Sequence, residues 1–173
     1  MARKNIKVDF GYQEDNTFKG SVFIVDKFED SINCHLERII KTLDERDFEK
    51  VVLYPLHENT LKRMNIDVSK KYFSRLDDLE NLVSNVKTYI PVSIDKLDGK
   101  RKKYTPLDFI LNHLTEKHKK PYFVCLSKDI ANKFASYSSF DTWIKEVRLI
   151  IAEDVTLALH KNLEKNSKRI EFI

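Results

Sequence analysis

A three-layer α/β sandwich on a mostly parallel sheet of five or six strands is the fold class this sequence predicts. Three observations carry that reading. Short apolar runs rich in β-branched and aromatic residues recur along the chain, over 20–26, 50–55, 86–92, 121–126 and 147–152. They are too short for helices and read as strands. Between the first two, Leu36, Ile39, Ile40 and Leu43 fall at i, i+3, i+4 and i+7, the stripe of an amphipathic helix. Strand, turn, helix and strand make a βαβ unit, whose first turn lies where such folds bind phosphate at a helix N-terminus.

In chain order, Ile6, Val8 and Phe10 alternate with polar residues ahead of a turn at Glu14-Asp15-Asn16. Residues 5–11 therefore read as an edge strand hairpinned onto strand 20–26, making residues 1–19 a leader before the domain at 20–173. Strand 20–26 carries Val22-Phe23-Ile24-Val25, and a polar turn follows, with Asp30 or Ser31 placed to cap the next helix. After strand 50–55, a helix over about 71–85 presents Phe73, Leu76, Leu79, Leu82 and Val83 as its buried side. Beyond strand 86–92, Thr105 as N-cap, Pro106 at N1 and Asp108 at N3 are the chemistry of a helix start. Leu107, Ile110, Leu111 and Leu114 supply that helix's stripe. Strand 121–126 leads to another turn and helix, and the aromatics Tyr137, Phe140 and Trp143 at i, i+3, i+6 read as core. A helix after Leu157 and a short strand over 169–173 end the sequence.

Composition narrows the function classes. At 173 residues with 42% hydrophobic content the chain is one domain with a core of its own. Three glycines and four prolines leave no flexible linker or low-complexity segment. No apolar run approaches a membrane span and the N-terminus has no signal core, so the expectation is a soluble cytoplasmic protein. Two cysteines, Cys34 and Cys125, make neither a disulfide framework nor a metal cluster. Thirty-one basic against 27 acidic residues give +4, with one run at Lys100-Arg101-Lys102-Lys103. No aromatics interleave with it, so dedicated nucleic-acid binding is not expected.

Phe28-Glu29-Asp30-Ser31-Ile32-Asn33-Cys34-His35-Leu36 resembles, without a gap, the Phe-Asp-Pro-x-His-x-Gly-His-Leu signature of nucleotidylyltransferases. Within them it is most similar to the nicotinate-nucleotide adenylyltransferase family. Phe28, Asn33, His35 and Leu36 match; Ile32 stands at the first histidine and Cys34 at the glycine. Pro55 and Lys62 reproduce the family's Pro and loop Lys seven residues apart, without its Pro-Pro-His. Arg75 falls at a family arginine, and Lys103-Tyr104-Thr105 resembles a Ser-Tyr-Thr motif. Leu126-Ser127-Lys128 takes the place of Gly-Ala-Asp, and Tyr137 and Phe140 that of paired tryptophans. The family's Ser/Thr/Arg segment after the last strand has no counterpart before Ile173.

The resemblance implies a Rossmann-like nucleotidylyltransferase fold and, in an active enzyme, transfer of AMP from ATP with Mg2+ to a mononucleotide in NAD biosynthesis. It implies His35 and Lys62 as catalytic groups, and Asn33, Cys34, Tyr104, Ser127 and Lys128 as nucleotide-binding ones, with no protein-held metal. Such chemistry needs cations and donors around the α-phosphate and leaving pyrophosphate. Of the family's set only His35 and Lys62 survive. Ile32 offers no donor, Cys34 adds bulk where bare glycine belongs, and Lys128 reverses a charge. Two readings follow: an adenylyltransferase with weak or lost catalysis, or a pseudoenzyme, a nucleotide-binding or scaffold domain without chemistry. The first would be completed by a further C-terminal segment or by a protein partner.

Overall fold

The computed structural model describes residues 20–173, apart from the side chains of residues 30–34. The expected leader strand over 5–11 lies outside the described residues. Fifteen described elements follow in order: β1 (Ser21–Asp26), α1 (Asp30–Asp44), β2 (Lys50–Pro55), α2 (Glu58–Arg63), α3 (Tyr72–Asn85), β3 (Val92–Ile94), α4 (Leu97–Arg101), α5 (Leu107–Lys117), β4 (Tyr122–Ser127), α6 (Lys128–Ser136), α7 (Phe140–Glu146), β5 (Val147–Ala152), α8 (Lys161–Lys165), a 3-10 turn (Ser167–Arg169) and β6 (Ile170–Phe172).

The strands form one all-parallel sheet in the order β3-β2-β1-β4-β5-β6. This is the α/β sandwich expected from the strand spacing, and its strand order is that of the Rossmann fold. Because side chains alternate across a strand, a fully apolar strand feeds two cores at once. Phe23, Val25, Val52 and Val124 join α5, α6 and α7 in one buried cluster. Val22, Ile24, Val51, Leu53 and Cys125 join α1 and α3 in the other. Leu36, Ile39, Ile40 and Leu43 are all buried in that second cluster, as their spacing predicts.

Four local expectations need correction. The third strand is Val92–Ile94, not 86–92. The Asp44 carboxylate at the end of α1 accepts the N–H groups of Tyr89 (3.2 Å) and Ile90 (2.8 Å), turning that segment onto the helix before pairing starts. On α3 the buried stripe is Tyr72, Arg75, Leu76 and Leu79, whereas Phe73 is 59% exposed. A one-residue rotation of the helix placed tyrosine and arginine inward, which a purely apolar pattern misses. The N-cap of α5 is Pro106 rather than Thr105. Thr105 instead donates its N–H to Thr60 Oγ1 (3.1 Å) and accepts from Arg101 Nε (3.1 Å), and Asp108 accepts from Trp143 Nε1 (2.6 Å). Finally, the N-cap position of α1 is Glu29, one residue before Asp30, and His35 lies in the helix's second turn. The Glu29 carboxylate does not cap the helix. It accepts from Ser69 N, Ser69 Oγ and Lys70 N, pinning the loop before α3 to the start of α1. No helix among the described residues is long and apolar enough to cross a membrane.

Candidate functional site

From β1 the chain winds one way to β2 and β3, and from β4 the other way to β5 and β6. The sheet therefore reverses direction between β1 and β4, and a crevice opens beyond their carboxyl ends, as open parallel sheets require. A cavity of about 540 Å³ occupies it. Its floor is apolar, from Ile24, Leu36 and Ile39, and its polar groups come from the ends of β1, β4 and β5 and from α1.

Arg75 braces the rim. It is fully buried, and its Nη1 donates to the carbonyls of Lys27 (2.6 Å) and Leu56 (2.9 Å) while Nε donates to that of Lys70 (3.0 Å). Glu58 lies 3.4 Å from Nη2 as its counter-charge. The ends of β1 and β2 are thereby tied to one guanidinium, with Leu56 N–H also donating to the Asp26 carbonyl (2.9 Å). Phe28 follows in the left-handed region at φ 52° with its ring buried, which is how the chain turns so sharply from β1 into α1.

Asp26, the last residue of β1, is 3% exposed on the cavity wall. Its Oδ1 accepts from Lys27 N (2.7 Å) and faces Ser127 Oγ at 3.5 Å. Burial, with the nearby Asp129 carboxylate adding to it, pushes the Asp26 carboxyl up to about 7 against the opposing pull of the Lys27 N–H. Ser127 donates to Asp129 Oδ1 (2.6 Å), which also accepts the Ile130 N–H (2.8 Å) at the first turn of α6. Cys125 lies in the same wall with its thiol pushed up to about 12 by burial, so it is an inert core thiol.

The cavity brings together three of the residues singled out in the sequence: His35, Ser127 and Lys128. His35 is exposed at the mouth, beside Arg38 one turn on. Lys128 is 8% exposed, and its ammonium donates to Glu153 Oε1 (2.8 Å) and the Asp154 carbonyl (3.0 Å). Its charge is thus matched by a carboxylate from the end of β5. Lys62 and Tyr104 lie outside the cavity. Lys62 is exposed on α2, and Tyr104 sits under the Arg63 guanidinium (5.5 Å) between α4 and α5. Asn33 and Cys34 belong to α1, and their side chains are outside the described residues.

Asp26, Asp129 and Glu153 were not singled out in the sequence. The signal for Asp26 was present: an acidic residue closing an apolar strand at the strand-order reversal, where ligands sit. Among the described residues there is no group of three or more His, Cys, Asp or Glu that could hold a metal ion.

No protein-family model matches the chain. No curated protein matches it either. Among solved structures, its fold is similar to that of Plasmodium falciparum nicotinic acid mononucleotide adenylyltransferase, determined in complex with NaAD. The TM-score is 0.64 at 13% identity, covering 89% of this chain and 74% of that one. At that identity the likeness is one of fold: a Rossmann-like, nucleotidylyltransferase-like α/β domain.

Proposed function

We propose that this chain is a nucleotide-binding domain on the nucleotidylyltransferase-like fold in which adenylyl transfer is weak or lost. The observation that carries the reading is the cavity at the strand-order reversal, which gathers His35 and a helix start, and at whose base the one described cation, Lys128, is paired with Glu153. Moving AMP from ATP to a mononucleotide demands positive groups and N–H donors around the α-phosphate and the departing pyrophosphate. Lys128 is neutralised by Glu153, and Lys62 stands elsewhere. Asp26 and Asp129 add negative charge to the wall, so a triphosphate pushed to the base of the cavity meets repulsion where the chemistry needs attraction. Each missing donor around a developing anion costs about 10²–10³ in rate. The cavity's size and its apolar floor suit one nucleoside unit, within the range of roughly 300–1,000 Å³ common for small-ligand sites.

The reading is tested by calorimetric titration with NaAD, nicotinate mononucleotide and ATP, alongside pyrophosphate release from ATP and either nicotinate or nicotinamide mononucleotide. Saturable binding that perturbs amide signals of α1 and the start of α6, with turnover far below about 1 per second, is expected. Turnover at or above about 1 per second makes the chain an active enzyme. No binding of any of these ligands removes the nucleotide reading.

A further inference from the structure

A second cavity, of about 570 Å³, lies on the α5 side of the sheet where β2 meets the edge strand β3, and it shares no lining residue with the crevice. Four lysines line it. Lys50 opens β2, Lys96 follows β3, Lys100 is on α4, and Lys117 closes α5 with His118 beside it. The one carboxylate in the lining, Asp95, is already used: Oδ2 meets His113 Nε2 (2.7 Å) and Oδ1 accepts the Leu97 N–H (3.0 Å). Lys96 is paired with Glu80 of α3. Among the described residues, Lys50, Lys100 and Lys117 have no carboxylate partner. Lys100 belongs to the basic run at 100–103, whose Arg101 is engaged elsewhere, donating to Thr105 Oγ1 (3.1 Å) and lying over the Phe109 ring (4.2 Å). His118 feels the gathered charge. Its ring packs 5.5 Å from that of Phe23, and burial together with Lys50, Lys117 and His113 holds it below its ordinary value against the pull of Asp95. Like charges held together without counter-charges cost free energy that a bound anion returns.

We propose that this cavity is an anion site, taking a small ligand with two or more linked phosphoryl groups among Lys50, Lys100 and Lys117. The lining says which kind of anion. Lysine ammoniums are compact point charges on flexible stems, suited to a multivalent oxyanion rather than to the planar, two-pronged grip that arginine gives a single carboxylate. Ser93 adds a hydroxyl at the wall. Apolar surface comes only from Val52 and Ile94, and no Phe, Tyr or Trp lines the cavity, so a nucleobase finds nothing to stack on. The ligand is therefore held by its phosphoryl groups alone. A bound anion favours the protonated imidazole of His118, so occupancy raises the His118 midpoint. The inference stands apart from the nucleotide reading of the crevice.

The test is calorimetric titration of the full chain with inorganic phosphate and with tripolyphosphate, paired with amide and imidazole NMR. Tripolyphosphate is expected to saturate, to bind about tenfold or more tighter than inorganic phosphate, to shift the amide signals of residues 93–96 and 117–118, and to raise the His118 midpoint. In the double variant Lys50→Gln with Lys117→Gln, tripolyphosphate should weaken about tenfold or more, whereas Lys161→Gln with Lys165→Gln, which removes the same charge from α8, should change it less than about twofold. Should Lys50→Gln disturb the start of β2, Lys100→Gln with Lys117→Gln, both exposed, gives the same comparison. Equal losses in the α8 variant and in the cavity variant mean attraction by net charge alone and overturn the inference. So does the absence of saturable binding, and so do shifts confined to α1 and the start of α6. None of these failures touches the nucleotide reading, which falls only if the crevice binds no nucleotide.

Discussion

Replacing Arg75 by methionine isolates what holds the rim of the cavity. The side chain is completely buried, and three of its bonds go to carbonyl oxygens on separate segments, those of Lys27, Leu56 and Lys70. Methionine fills much of the same volume, so the loss is one of donors rather than packing. Each carbonyl left dry costs about 1–3 kcal/mol. Against this, methionine avoids the cost of burying a guanidinium, which is real here because burial holds the Arg75 group below its ordinary value despite Glu58 and Glu29. Glu58, left without the guanidinium, is about a third exposed and keeps the Tyr72 N–H, so the dry carbonyls set the loss, and we expect Arg75→Met to cost about 3–5 kcal/mol. Arg75→Lys should recover little, since a single ammonium cannot reach three carbonyls that the planar fork spans at once. The assay is urea unfolding followed by circular dichroism, reading the midpoint at constant slope. A loss below about 1 kcal/mol for Arg75→Met would show that the ends of β1 and β2 are held by the sheet alone, and would refute the bracing role.

Two further outcomes follow from the same residues and their neighbours. The Asp26 carboxyl sits higher folded than unfolded, so ionising it opposes folding. Its penalty is absent below about pH 4 and grows as pH rises through about 7. Asp26→Asn should therefore stabilise the ligand-free protein by about 2–4 kcal/mol at pH 8 and by almost nothing at pH 4, measured by chemical unfolding at both. Gly99→Ala should destabilise by about 1–3 kcal/mol or more in a thermal melt, because its Cβ would land in the buried ring of Tyr72.

Much of the architecture was legible in the sequence because it depends on periodicity. Four of the five expected longer strands appear within a residue of their predicted bounds, since an apolar run of six residues between helical stripes has few other ways to bury both faces. The α1 stripe and the aromatic core of Phe140 and Trp143 follow for the same reason. Of the site, the sequence pointed to His35, Ser127 and Lys128, which flank the turns after β1 and β4 and so had to meet wherever those strands are neighbours.

What only tertiary structure decided is which charges meet. Nothing local distinguishes Lys128 from any solvated lysine until the end of β5 brings Glu153 to 2.8 Å. Asp26 and Asp129, 103 positions apart, share the Ser127 hydroxyl only because β1 and β4 pair in parallel. Arg75 reads as a surface residue in an apolar pattern, yet among the described residues it is the most voluminous side chain buried whole, since carbonyls from the ends of β1 and β2 and from the turn before α3 converge on it. Lys62 matched a loop spacing, but spacing along the chain says nothing of the direction in which α2 carries it, and it stands outside the cavity. Hydrophobic pattern is a property of neighbours in sequence. Electrostatic environment is a property of neighbours in space, set by a sheet order that the periodicity of single strands does not contain.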